Sequence, residues 1–215
     1  MRVLAASPAR RLAVLLGLAL SLAAATASRA QTWTEVGDAG DLPINAQSTA
    51  GLGGLLTLSG TLSSAADVDM YCIQTSNMVD VPGYPVLTLT CWSDVSPNVW
   101  VFDANGMGIS TNESCAGGFK TLTTTTLYPF TAYYVAVSYS GVAAVSTDGP
   151  MWLAATGERS PDGPGAASAV TGWAGSALVT GPNPYQLGFN FTGYCESPTP
   201  AVRQGWGSLK IRYGN

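Results

Sequence analysis

The period of the apolar residues limits this chain more than any other feature. Beyond residue 30 no stretch sustains a 3.6-residue repeat closed by helix caps. Short alternating runs take its place, broken by Gly, Pro, Asn and Asp. Thr131 to Tyr139 (TAYYVAVSY) shows the alternation most clearly, and it predicts Tyr133, Val135 and Val137 on the inner face with Tyr134, Ala136 and Ser138 opposite. Further strands are expected over 55–62, 68–75, 85–92, 120–127 and 185–191, with 109–111 pairing back. In the second of these, Tyr71 and Ile73 share one face, and Met70 and Cys72 share the other. Residues 98–102 (NVWVF) are apolar on both faces, as a covered central strand requires. They end at Asn105-Gly106, a tight-turn signal. Seven or eight short antiparallel strands joined by turns make an all-β chain, and a β-sandwich in particular. Residues 141–184 are Gly-, Pro-, Ala- and Ser-rich and read as one long loop, either a functional flap or a cover over a sheet edge.

The first thirty residues read as a separate unit. Arg2, Arg10 and Arg11 precede an uncharged run from Leu12 to Ala27, and Ser28-Arg29-Ala30 closes it. This is the order of a secretory signal peptide cut before Gln31. The alternative is a membrane anchor, but the run is shorter than the roughly 20 residues that a spanning helix needs. No later segment suits a transmembrane helix. Cleavage leaves 185 of the 215 residues, enough for one domain with its own core. The expected organisation is a signal peptide (1–30), an extended N-terminal segment (31–54), the sandwich (55–196) and a basic-aromatic tail (197–215). The expected location is outside the cytoplasm, whether periplasm, cell surface or medium.

Charge and residue types exclude several functions. The mature part holds five basic and thirteen acidic residues, a formal charge of −8. Such a surface repels phosphate backbones, so nucleic acid is not an expected partner. The chain contains no histidine. Ser-His-Asp and Cys-His catalysis are thereby excluded in their usual forms, and a bound metal would be a hard cation held by oxygen, calcium first. The lysines Lys120 and Lys210 suggest no Ser-Lys pair, and Asp148, Glu158 and Asp162 have no spacing that marks a glycosidase. The chain reads as a non-enzyme. Cys72, Cys91, Cys115 and Cys195 suggest two disulfides in an exported protein. Four cysteines allow three pairings. Cys91–Cys115 would close a local loop and Cys72–Cys195 would tie an early strand to the last, but sequence does not choose among the three.

Several segments carry a resemblance. TWTEVGDAGDLPINAQ, LSGTLSSAADVDMYCI, VWVFDANGMGI, AYYVAVS and PDGPGAASAVTGWAG together resemble bacterial secreted domains of the pre-peptidase C-terminal (PPC) type over about residues 33–193. The best markers are Asp67-Val-Asp69-Met-Tyr71, the Phe102-Asp-Ala-Asn-Gly106 turn and Tyr133-Tyr134. The resemblance implies a jelly-roll-like sandwich without catalytic residues. It also implies an accessory role beside exported enzymes or binding to a protein or glycan surface, in some members with calcium held by acids of the N-terminal segment and a neighbouring strand. The four cysteines and the tail depart from it.

Two constellations follow from the residues. Glu35, Asp38 and Asp41 lie close together in the N-terminal segment, and Asp67 and Asp69 share one face at the start of the second strand. If the segment crosses that strand start, four or five of these carboxylates converge, and a cation is needed to neutralise them. The alternative is that Asp67 caps a turn and the others are solvated. Asp103 and Asn105 fit a hairpin turn better than a calcium loop, since Met107 and Ile109 stand where acids are required. Trp152 and Trp173 are candidates for an exposed sugar-binding platform, or else buried anchors of the long loop. The function expected is an exported binding or adhesion module of unknown ligand. The alternatives are a carbohydrate-binding module using these two tryptophans and a structural cell-surface protein.

Overall fold

A computed structural model describes residues 31–76, 89–92, 97–113, 122, 127–177 and 182–195. The leader, Cys115, most of the expected 120–127 strand and the tail lie outside them. The described residues form strands and turns only, in a sandwich-like arrangement of mixed sheets. One sheet runs β1 (Gln31–Thr34), β3 (Leu55–Leu62), β13 (Asn183–Phe189) and β5 (Leu89–Trp92). The larger sheet runs β11 (Gly157–Arg159), β7 (Gly108–Glu113), β6 (Pro97–Phe102), β8 (Ala132–Tyr139), β4 (Val68–Thr75) and β14 (Thr192–Tyr194). A further strand, β2 (Gln47–Ser48), shares the outer edge of β4 with β14. A third, small sheet holds β10 (Gly149–Pro150), β9 (Val142–Ser146) and β12 (Gly172–Gly175).

Register assigns the faces of the large sheet. Asp69, Tyr71 and Ile73 of β4 stand opposite Val137, Val135 and Tyr133 of β8, and Val135 and Val137 stand opposite Val101 and Val99 of β6. This face looks towards the first sheet. There Tyr71 meets Tyr185 of β13 and Tyr139 donates to Leu62 O of β3 at 3.0 Å. Leu58, Leu62 and Leu187 are buried with them. The opposite face carries Met70, Tyr134, Ala136, Trp100 and Phe102. Trp152 and Trp173 cover part of it, with ring centroids 5.2 and 5.7 Å from Trp100 and 5.8 and 6.2 Å from Phe102, all edge to face. Every residue of β6 is therefore buried, which is why its sequence is apolar on both faces.

Two expectations need correction. Residues 141–184 are not one loop, because they contain β9 to β12 and the start of β13. Their Gly- and Ala-rich pieces (VAAVS, GWAG) lack the bulky alternation that marks a strand, and pairing along their edges makes them strands instead. Gly175 has φ +98°, and a Cβ there would run into the carbonyl of Gly141 on the adjoining turn. The cover reading fits β11, which lies antiparallel on the edge of β7. The strand count is also higher than seven or eight, since fourteen segments occur among the described residues. Two of the pairings, β1 with β3 and β2 with β4, are parallel. Both come from the N-terminal segment, whose short sequence shows no alternation of its own.

Cys72 and Cys195 form a disulfide with Cα atoms 5.4 Å apart. Buried Thr49 reinforces it: its hydroxyl donates to Cys72 O at 2.7 Å and accepts from Cys195 N at 3.1 Å. Cys91 lies on β5, and its expected partner Cys115 is outside the described residues. Removing a crosslink that closes a 123-residue separation raises the entropy of the unfolded chain. The double variant Cys72→Ser/Cys195→Ser is expected to lose about 2–5 kcal/mol in urea unfolding. A Cβ at Gly60 would stand 2.6 Å from Tyr71 Oη and closer still to the Tyr185 hydroxyl. Gly60→Ala is expected to cost about 1–3 kcal/mol in the same assay, because it forces the two tyrosines apart.

Candidate metal centre

The N-terminal segment stitches the layers together. After β1, Glu35 N donates to Ser59 O of β3 at 2.9 Å. The Glu35 carboxylate then turns inward and accepts from Ala39 N at 2.9 Å and from Thr61 N at 2.8 Å. The chain continues to Gly40, whose carbonyl accepts from Met70 N of β4 at 2.8 Å. Trp33 packs edge-on against Tyr71, with ring centroids 5.7 Å apart. These contacts bring the segment across the start of β4, as the acid-cluster reading requires.

Three of the five acids meet there. Carboxylate oxygens of Glu35, Asp38 and Asp69 all lie within 4.8 Å of one another. Two oxygens bound to one ion at about 2.4 Å each lie no more than about 4.8 Å apart, so every pair in the trio is within reach of a shared ion. Asp38 is exposed, Glu35 half-buried and Asp69 fully buried. The other two acids take the bland role. Asp67, half-buried, caps its turn by accepting from Ser63 N. Asp41 is exposed, binds Asn45 Nδ2 at 3.1 Å and offers its backbone carbonyl to Trp173 Nε1 at 2.6 Å.

Asp69 is the unusual member. Tyr71 Oη and Tyr185 Oη are 2.6 Å apart, and Tyr185 donates to Asp69 Oδ2 at 2.7 Å. Since Tyr185 spends its proton on Asp69, Tyr71 must be the donor in the tyrosine pair. The other oxygen, Asp69 Oδ1, is buried without a hydrogen-bond partner. Burial pushes the Asp69 carboxyl up to about 8; the Tyr185 bond opposes this, and the charges of Glu35 and Asp67 add to it. Burial, with Asp69 alongside, also raises the Tyr71 phenol, and burial with Tyr71 and Asp69 raises Tyr185. A buried carboxylate with one oxygen lacking a donor, close to two more carboxylates, calls for either a proton or a cation. The residues fit calcium, which takes hard oxygen donors and tolerates irregular geometry.

Elsewhere the structure answers the sequence candidates plainly. Trp152 is only 3 % exposed and its Nε1 points to Arg159 O at 3.4 Å, so it anchors the loop beneath it. Trp173 is half-buried against Trp100 and Phe102. The pair offers no open platform. Asp103 caps the β6–β7 hairpin, accepting from Asn105 N at 2.8 Å and Met107 N at 2.9 Å. Asp162 and Glu113 both pair with Arg159, and Asp148 accepts from Ser168. Sequence reasoning missed Tyr185 and Thr61 as partners of the acid cluster. Tyr71 could have been found, since it alternates with Asp69 on one face. Tyr185 could not, because it lies 114 residues from Tyr71 on the facing sheet.

No protein-family model, curated protein or solved structure matches this chain.

The raised Asp69 group sets a pH dependence. Below about pH 4 the carboxyl is protonated in both folded and unfolded chains. Between there and about 8 the unfolded chain releases a proton that the folded one keeps, so stability falls as pH rises through this window. Above about 8 the full cost is in place. Urea unfolding in chelator should show this slope, and Asp69→Asn, which keeps the shape without the charge, should reduce it.

Proposed function

We propose that the protein is an exported, non-catalytic binding or adhesion module of the PPC type, with its N-terminal segment fastened by calcium. Glu35, Asp38 and Asp69 would hold the ion. Bound there, calcium supplies the positive charge that three convergent carboxylates lack. The observation that carries the calcium reading is that one of the three convergent carboxylates, Asp69, is fully buried and keeps an oxygen, Oδ1, without a hydrogen-bond partner. Millimolar calcium outside cells suits a site built from three exposed-to-buried acids rather than a dedicated cage.

Other features support the setting. A leader of secretory pattern opens the sequence, and Cys72 and Cys195 are joined as an oxidising compartment permits. Among the described residues no helix is long and apolar enough to cross a membrane. The non-catalytic reading rests on the absence of histidine and on the use of Asp103, Asp148 and Asp162 as turn and loop fasteners. The PPC assignment rests on the motif resemblance alone. The rival carbohydrate reading through Trp152 and Trp173 loses support because both rings are engaged internally.

Calorimetric titration of calcium-stripped protein at pH 7.5 tests the proposal. Calcium should bind with release of about one proton and stabilise the fold by about 2.7 kcal/mol at a hundredfold excess over Kd. Asp69→Asn should fold normally and lose both effects. The absence of heat and of any shift in melting temperature in the wild-type protein would remove calcium from the account.

A further inference from the structure

A turn ahead of β8 holds two aromatic side chains out in solvent. Tyr128 is 74 % and Phe130 69 % exposed. Neither sits on a loose loop. The Thr75 hydroxyl of β4 donates to Tyr128 O at 2.6 Å and accepts from Thr131 N at 3.0 Å. Tyr128 N donates to the buried Tyr133 hydroxyl at 2.8 Å. Phe130 adopts φ +52°, a left-handed conformation that a bulky side chain takes only under constraint. Strain of this kind concentrates at binding sites, where it presents side chains in advance of the ligand.

Tyr128 lines an open groove of about 540 Å³ between this turn, the β6–β7 hairpin and Ser160-Pro161. Its lining combines apolar surface from Tyr128, Tyr133 and Ile109 with the Asp103 carboxylate, the Asn105 amide and the Ser160 hydroxyl. Asp103 is the sole acid in the described lining, and no Lys or Arg joins it. Among the described residues a phosphate, sulfate or carboxylate ligand would meet the Asp103 carboxylate and no counter-charge. A carbohydrate without charge matches both halves of this chemistry. Its C–H face stacks on a phenol ring, and its hydroxyls donate to the carboxylate and exchange bonds with the amide and hydroxyl. The volume falls within the range of ordinary small-ligand sites.

We infer that this groove binds a neutral oligosaccharide, with Tyr128 as the stacking platform and Phe130 flanking it on the same turn. The inference rests on the binding-module reading but not on calcium, since the groove shares no residue with the acid cluster. Asp103 keeps its turn-capping bonds through Oδ1, and Oδ2, held only by a long 3.5 Å contact to Asn105 Nδ2, would take the sugar hydroxyl.

The test is calorimetric titration of the calcium-saturated full chain, up to millimolar concentration, with neutral hexasaccharides of β-1,4-linked glucose, xylose, mannose and N-acetylglucosamine. A heparin-derived hexasaccharide serves as the polyanionic control. At least one neutral sugar should bind and heparin should not. Tyr128→Ala should weaken binding about tenfold or more at an unchanged melting temperature, and Tyr128→Phe should restore it. Phe130→Gly should raise the melting temperature by relieving the backbone while weakening binding. Binding of heparin alone, of none of the neutral sugars, or with equal strength by wild type and Tyr128→Ala overturns the inference.

Discussion

A short buried chain of hydrogen bonds, Tyr71 to Tyr185 to Asp69, governs the geometry at the N-terminal end of β4. It joins the facing sheets through polar groups in a core where unmet donors and acceptors are costly. Its demands propagate. Only glycine fits at position 60, because the two phenol oxygens occupy the space a side chain would need. Trp33 closes over Tyr71, and Glu35 reaches back to Thr61, so the N-terminal segment must run where it does. One oxygen of Asp69 is satisfied by this chain, the other has no hydrogen-bond partner, and the carboxylate lies close to those of Glu35 and Asp38. The same network that aligns the sheets thus creates the site at their rim.

The large sheet is covered on both sides, an arrangement more familiar from parallel sheets than from antiparallel ones. Its second cover is made from short strands and aromatic anchors rather than from a second full sheet. Trp100 is fixed by a 2.9 Å bond to Ser138 Oγ and receives Trp152 and Trp173 edge-on. Trp173 in turn binds the carbonyl of Asp41. The N-terminal segment therefore touches all three layers: β3 through Glu35, β4 through Gly40 and β12 through Asp41. An ion at its acid cluster would act on a strap between layers.

Alternation revealed the parts of the fold that obey it. The limits of β3 and β4 coincide with the expected runs, and the two faces of β8 were assigned correctly. The doubly apolar β6 signalled its own covering. Strands made of Gly, Ala and single prolines carried no such signal, since their stability comes from neighbours distant in sequence. The acid cluster was legible in outline because Asp69 and Tyr71 share a parity and Glu35 and Asp38 lie close together. Which three acids converge depended on where the segment crosses β4, a tertiary fact. The Tyr128 groove left little trace, because a strained turn and an exposed ring look in sequence like any strand end.

The Cys72–Cys195 bond also fixes how the domain carries mechanical load. Tension applied between Gln31 and any point beyond Cys195 crosses the sulfur bridge into β4 and bypasses the 123-residue loop that the bridge closes. Only the stretch before Cys72 can be paid out. That stretch begins with the strap bearing Glu35 and Asp38, so the contacts around the carboxylates meet the load before β3 and β4 do. Under traction the domain would lengthen by roughly forty residues at most, about 140 Å of extended chain, and full extension would strip β3 from β13 and the first half of β4 from β8.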